Sequence, residues 1–110
     1  MAVGPGSNEE FHPVAGIRLA AVKSEVRYLG RLDLVLIELA ENSCVAGVYT
    51  QNSFCAAPVT VAKAHSQIAS PRFFLINTGN ANAGTGESGK QHALRCCQSI
   101  SDLGDVTVQQ

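Results

Sequence analysis

The sequence has 110 residues, 45% of them apolar and 15% charged, with a net charge of −1. A chain of this size forms about one domain and buries roughly 65% of its unfolded surface, so it is globular and not disordered. Near-neutral charge with no basic stripe argues against a nucleic-acid partner or an anionic membrane surface, and no window approaches the roughly 18 continuous apolar residues of a membrane helix.

Met1 to Glu10 is rich in Gly, Pro, Asn and Glu and has no charged-then-apolar signal pattern. Residues 1–12 are expected to be a flexible leader, residues 13–110 the folded part, and the compartment cytoplasmic. Ile17 to Val22 alternates weakly and predicts a short strand. Tyr28-Leu29-Gly30-Arg31 predicts a turn. Leu32 to Leu39 is nearly all apolar and predicts a strand buried on both faces or nearly so. After a turn at Glu41-Asn42-Ser43, the β-formers of Cys44 to Thr50 predict a third strand, giving an antiparallel meander.

Gln51 to Pro58 reads as an irregular linker, with Pro58 fixing the entry to a helix. Val59 to Ile68 carries an apolar stripe of Val59, Ala62, Ala64 and Ile68, and Pro71 ends that helix. Phe73 to Asn77 is a strand. Ser88 to Ile100 places Ala93, Leu94, Cys97 and Ile100 at helical spacing, with Ser88 a candidate N-cap and Gly104 where a terminator belongs. Asp105 to Val108 predicts the start of one more strand. The expected class is α/β, with antiparallel strands plus two helices. An element series that closes inside a strand reads as the N-terminal part of something larger.

Asn77 to Gly86 holds three asparagines, two threonines and three glycines within ten residues. Fixed amides compete with backbone hydrogen bonding, and glycines permit left-handed turns. The stretch therefore predicts a tightly specified strand-to-helix connection. Asn77, Asn80 and Asn82 serve either as a structural amide network or as substrate-binding groups at a strand's carboxyl end, where α/β sheets bind ligands.

Gly84-Thr85-Gly86-Glu87-Ser88-Gly89 matches the dinucleotide pattern G-x-G-x-x-G. The first glycine lies seven residues past Asn77, however, and Glu87 would face a pyrophosphate, so a nucleotide site is disfavoured. Cys55 has His65 and His92 as nominal bases, but nothing in the sequence places either beside it. Cys44, Cys55, Cys96 and Cys97 lack CxxC spacing and read as reduced, packed thiols. His12, His65, His92 and the cysteines lack the ligand-pair spacing of a zinc site. No carboxylate pair stands out for acid/base work, and no metal or cofactor is expected.

Val45-Ala46-Gly47-Val48-Tyr49-Thr50-Gln51-Asn52-Ser53-Phe54-Cys55-Ala56-Ala57-Pro58-Val59 resembles the "AGVFTxNxFCAAPV" segment of the ornithine acetyltransferase family. Phe73 to Gly86 resembles its "INSGNANAxTG" segment, and Gly16 to Leu19 and Asp33 to Ile37 resemble its opening strands. The resemblance runs from about residue 12 to the end. It implies the N-terminal part of an α chain in an α-β-β-α sandwich, belonging to the bifunctional glutamate N-acetyltransferase of arginine biosynthesis. Acetyl passes in that family from N-acetylornithine to an N-terminal Thr exposed by autocatalytic cleavage, then to glutamate, and some members also accept acetyl-CoA. The implied partners are the rest of the α chain and a β chain, as α2β2. The nucleophile Thr and the oxyanion hole are expected beyond Gln110, leaving no catalytic residue here and a chain inactive by itself. The alternative from another class is a non-catalytic domain that binds a small ligand or a partner.

Overall fold

The computed structural model describes residues 12–110. The leader expected over residues 1–12 lies, but for His12, outside them. Strand β1 (Ile17–Val22) pairs antiparallel with β2 (Leu34–Leu39), with Ile17 opposite Leu39 and Val22 opposite Leu34. Helix α1 (Ala57–Ser66) follows, then β3 (Phe73–Asn77), then helix α2 (Gly86–Gly104). β3 pairs antiparallel with the other edge of β2, with Leu34 opposite Asn77 and Glu38 opposite Phe73, so the sheet order is β1-β2-β3. The helices pack on each other, and α2 reaches β3. A mixed α/β fold with antiparallel strands and two helices is therefore what forms.

The segment between β1 and β2 turns on Asp33. Its carboxylate accepts the Ser24 backbone N–H at 2.6 Å, the Ser24 hydroxyl at 2.8 Å and the Val26 N–H at 2.8 Å. Asp33 is buried at 6% exposure. A buried carboxylate is tolerated only when its lone pairs are satisfied. The Ser24 amide is the largest influence in holding this carboxyl below the ordinary carboxylate range, against the upward push of burial.

Side chains alternate between the two faces of a sheet, so the register assigns each face. Ala20, Leu36 and Leu75 share one face with Phe73, whose ring lies against α2. A Cβ on Gly104 would sit 2.7 Å from Phe73 Cε2. Ile17, Leu19, Ala21, Val35, Ile37, Leu39, Phe74 and Ile76 form the opposite face, and every one of them is apolar. No described element covers that face, and Leu19 is 71% and Ile76 52% exposed. The continuous apolar run of β2 thus meets cover on one face, and its residues are half-buried and not fully enclosed.

Three expectations change. Cys44 to Thr50 is irregular and not a strand. The meander position it would fill, the second edge of β2, is taken by β3. Asp105 to Val108 is a turn and not a strand start. Asp105 takes the left-handed conformation (φ 51°), and the Ser101 hydroxyl donates to the Val106 carbonyl at 2.6 Å. The Gln110 carbonyl then accepts the N–H groups of Arg72 and Phe73, tying this turn to the start of β3. Ser88 is not the N-cap of α2. That position is Thr85, whose hydroxyl bonds the Asn82 carbonyl at 3.2 Å in place of a helix N–H. Gly104 ends α2, but the left-handed residue is Asp105; what requires glycine at 104 is the approach of Phe73.

Candidate functional site

A cleft of about 680 Å³ opens between the helix pair, the 45–49 segment and β3. α1 lines it with Val61 and His65, α2 with His92 and Cys97, and one rim carries Asn77, Asn80 and Asn82. Val61, 5% exposed, is the apolar side chain buried at its floor.

The three asparagines form a relay. Asn80 Nδ2 donates to Asn82 Oδ1 at 3.1 Å, and Asn82 Nδ2 donates to Asn77 Oδ1 at 3.0 Å. An amide has two donor hydrogens and one acceptor oxygen, so the relay leaves Asn80 Oδ1 at one end and Asn77 Nδ2 at the other. The Asn82 carbonyl does separate work. It accepts the Thr85 hydroxyl and, at 3.2 Å, the Ala57 N–H. Ala57 opens α1 behind Ala56, which has no side chain to cap with. A helix start leaves N–H groups without partners, and here a distant loop carbonyl supplies one.

The stretch before α1 meets the same loop. Thr50 Oγ1 accepts the Asn52 N–H at 3.2 Å, and Asn52 Oδ1 accepts the Phe54 N–H at 2.9 Å, an Asx turn that aims Phe54. The Phe54 ring covers Gly84, where a Cβ would fall 2.8 Å from Cζ and where φ is +70°. Gly89 leaves room for Thr85: its Cβ would lie 1.8 Å from Thr85 Oγ1 and 3.4 Å from Ala57 Cβ. The Val45–Val59 and Asn77–Gly86 stretches are thus one interlocked unit. Packing accounts for Gly84 and Gly89 of the G-x-G-x-x-G pattern.

The thiols are all free. Cys55 Sγ lies 3.5 Å from Thr60 Oγ1 and is outside the cleft that His65 and His92 line. The Cys97 thiol is pushed up, first by burial and then by its neighbour Cys96. Among the described residues no group of three His, Cys, Asp or Glu is placed to hold a metal ion, and no helix is long and apolar enough to cross a membrane. Sequence reasoning missed Asp33 as the organiser of the 24–33 segment. Its signal was an acidic residue heading an apolar run, with a serine in the preceding turn.

The ArgJ family model matches residues 18–110. The arginine biosynthesis bifunctional protein ArgJ of Methylococcus capsulatus is 52% identical over 91 residues, which is 83% of this chain and 22% of that protein. Its counterpart in Pseudomonas fluorescens is 48% identical over 110 residues, 100% of this chain and 27% of that protein. The chain therefore spans about a quarter of the length of the curated relatives it matches. Ornithine acetyltransferase from Mycobacterium tuberculosis, solved in complex with ornithine, superposes with a TM-score of 0.77 at 31% identity, over 86% of this chain and 52% of that one. The ArgJ crystal structure from Bacillus halodurans superposes with a TM-score of 0.80 at 25% identity, over 86% of this chain and 50% of that one. A family match across nearly all the described residues, close relatives and a shared fold agree: the chain belongs to the ArgJ family.

Proposed function

We propose that this chain is the N-terminal part of an arginine-biosynthesis acetyltransferase that moves acetyl from N-acetylornithine to glutamate. The observation that carries this reading is the match over 86% of the chain to an ornithine acetyltransferase solved with ornithine. The route is a two-step transfer through a Thr nucleophile freed by autocatalytic cleavage. That nucleophile and the oxyanion hole belong to parts of the family's length outside these residues, as do the partner segments of an α2β2 assembly, and the enzyme works in the cytoplasm.

Within this chain the loop Asn77–Gly86 is the candidate substrate contact. The relay of Asn77, Asn80 and Asn82 supports that role, because it leaves the Asn80 Oδ1 acceptor and the Asn77 Nδ2 amide group at its two ends on the rim of the cleft. Residues 13–110 form one folded unit in this reading. The uncovered face that includes Leu19, Ile37 and Ile76 packs against a further layer supplied by the remaining length, since a sheet face made wholly of apolar residues is stable only when covered.

Incubation of the purified 110-residue chain with N-acetylornithine and glutamate, followed for ornithine release, tests the assignment of the chemistry. No transfer is expected. Without the oxyanion hole each missing donor costs roughly 3–4 kcal/mol in the transition state, and without the nucleophile the covalent step is absent. Turnover by the chain alone overturns the assignment. A longer protein containing this sequence is expected to release ornithine in the same assay; failure there overturns the activity.

A further inference from the structure

A second recess of about 160 Å³ lies on the other side of the Asn77–Gly86 loop, lined by Arg27, Tyr28, Arg31, Asp33, Thr78 and Gly79. Both arginines are held on one ring: the guanidinium carbons of Arg27 and Arg31 lie 5.2 and 5.6 Å from the Tyr28 centroid, within the distance at which a cation is attracted to an aromatic face. Among the described residues neither is in an ion pair; the pairs formed are Arg18–Glu38 and Arg72–Glu41. The carboxylate that lines this recess, Asp33, accepts from three donors of its own at Ser24 and Val26. Gly79 (φ +94°) forms one wall, and a Cβ there would lie 3.4 Å from Arg27 Cβ.

We propose that Arg27 and Arg31 form a binding site for a single oxyanion group, a carboxylate or a phosphate. Two guanidiniums restrained on one ring surrender less rotamer freedom on binding than two free ones. Each presents a planar fork matched to paired oxygens. The recess is well below the roughly 300 Å³ at which pockets enclose whole ligands, so it takes one anionic group and not a nucleotide. Thr78 and Gly79 wall this site while Asn77, Asn80 and Asn82 rim the cleft, so one loop serves two recesses.

The test is NMR of the arginine Nε–H and Gly79 N–H signals of the protein, titrated separately with sodium phosphate and with sodium glutamate at low salt. The expected result is saturable shifts at Arg27, Arg31 and Gly79, with Arg95 unmoved, and at least tenfold weaker binding in Arg27→Gln/Arg31→Gln. Saturation with glutamate alone assigns a carboxylate, saturation with phosphate alone a phosphate, and saturation with both the broader oxyanion class. Shifts that stay linear, or that move Arg95 equally, overturn the site. If the double variant does not fold, Arg31→Gln alone, at an exposed position, is expected to weaken binding several-fold; unchanged affinity in that variant overturns the proposal.

Discussion

Replacing Gly84 by alanine tests the join between the two long motifs. The new methyl meets two obstacles. The first is the backbone, at φ +70°, where a Cβ crowds the following carbonyl and costs roughly 1–2 kcal/mol. The second is Phe54 Cζ, 2.8 Å from the added carbon. Forcing a methyl into a packed site costs about 1–3 kcal/mol. Phe54 is 71% exposed, however, and the clash is with the far end of its ring. The ring can swing outward, so its share lies at or below the low end of that range, and the total is about 1–3 kcal/mol. Gly86 is the internal control: its φ is +59°, with nothing within 4 Å of an added Cβ. Gly86→Ala then carries the backbone part alone, about 1–2 kcal/mol. Urea unfolding followed by circular dichroism measures both, and an unchanged m-value confirms that the denatured state is the same. In a Phe54→Ala background, Gly84→Ala is expected to fall to the cost of Gly86→Ala, a coupling that a double-mutant cycle reads directly. Equal costs of Gly84→Ala and Gly86→Ala in the wild-type background refute the contact with Phe54. A neutral Gly84→Ala refutes the left-handed turn as well.

Other consequences are measured with the same preparations. Asn82→Ala removes the middle of the amide relay, two hydrogen bonds, and is expected to cost about 1–2 kcal/mol. In a full-length family enzyme the same change with KM unaltered assigns the relay to structure, whereas a raised KM with stability retained assigns it to substrate. The folded Asp33 carboxyl is held below its ordinary range, so the unfolded chain binds the extra proton in acid. Its stabilisation is complete above the unfolded value, near pH 4, and is lost as pH falls through the folded one. Asp33→Asn is expected to flatten that acid limb of stability against pH; an unchanged limb removes Asp33 as its source. Cys97, half-buried with its thiol pushed up, is expected to alkylate with iodoacetamide more slowly at pH 8 than the exposed Cys44, as peptide mass mapping of partly labelled protein reports.

What the sequence made legible, and what it concealed, follows from how local each cause is. Strands at Ile17–Val22 and Phe73–Asn77 were read from their own side chains, and both form with those bounds. Cys44–Thr50 had the same local qualification and makes no ladder, because strand formation depends on a partner and β3, 23 residues after Thr50, takes the open edge of β2. The Asn77–Gly86 glycines were legible as turns but not as a seat for Phe54, a contact spanning thirty positions that no local pattern encodes. The same reasoning explains the half-buried β2. A continuous run of apolar residues signals cover on two faces. α2 reaches one of them at Phe73, and the apolar residues of the other remain open. Among the described elements, β2 has the cover that its run signals on one face only. In the longer family protein, Leu19→Asp and Ile37→Asp on the open face are expected to abolish soluble expression, because each would bury an unpaired carboxylate between layers. In the 110-residue chain the same changes are expected to leave solubility equal or better. Equal tolerance in both proteins would refute the covering layer.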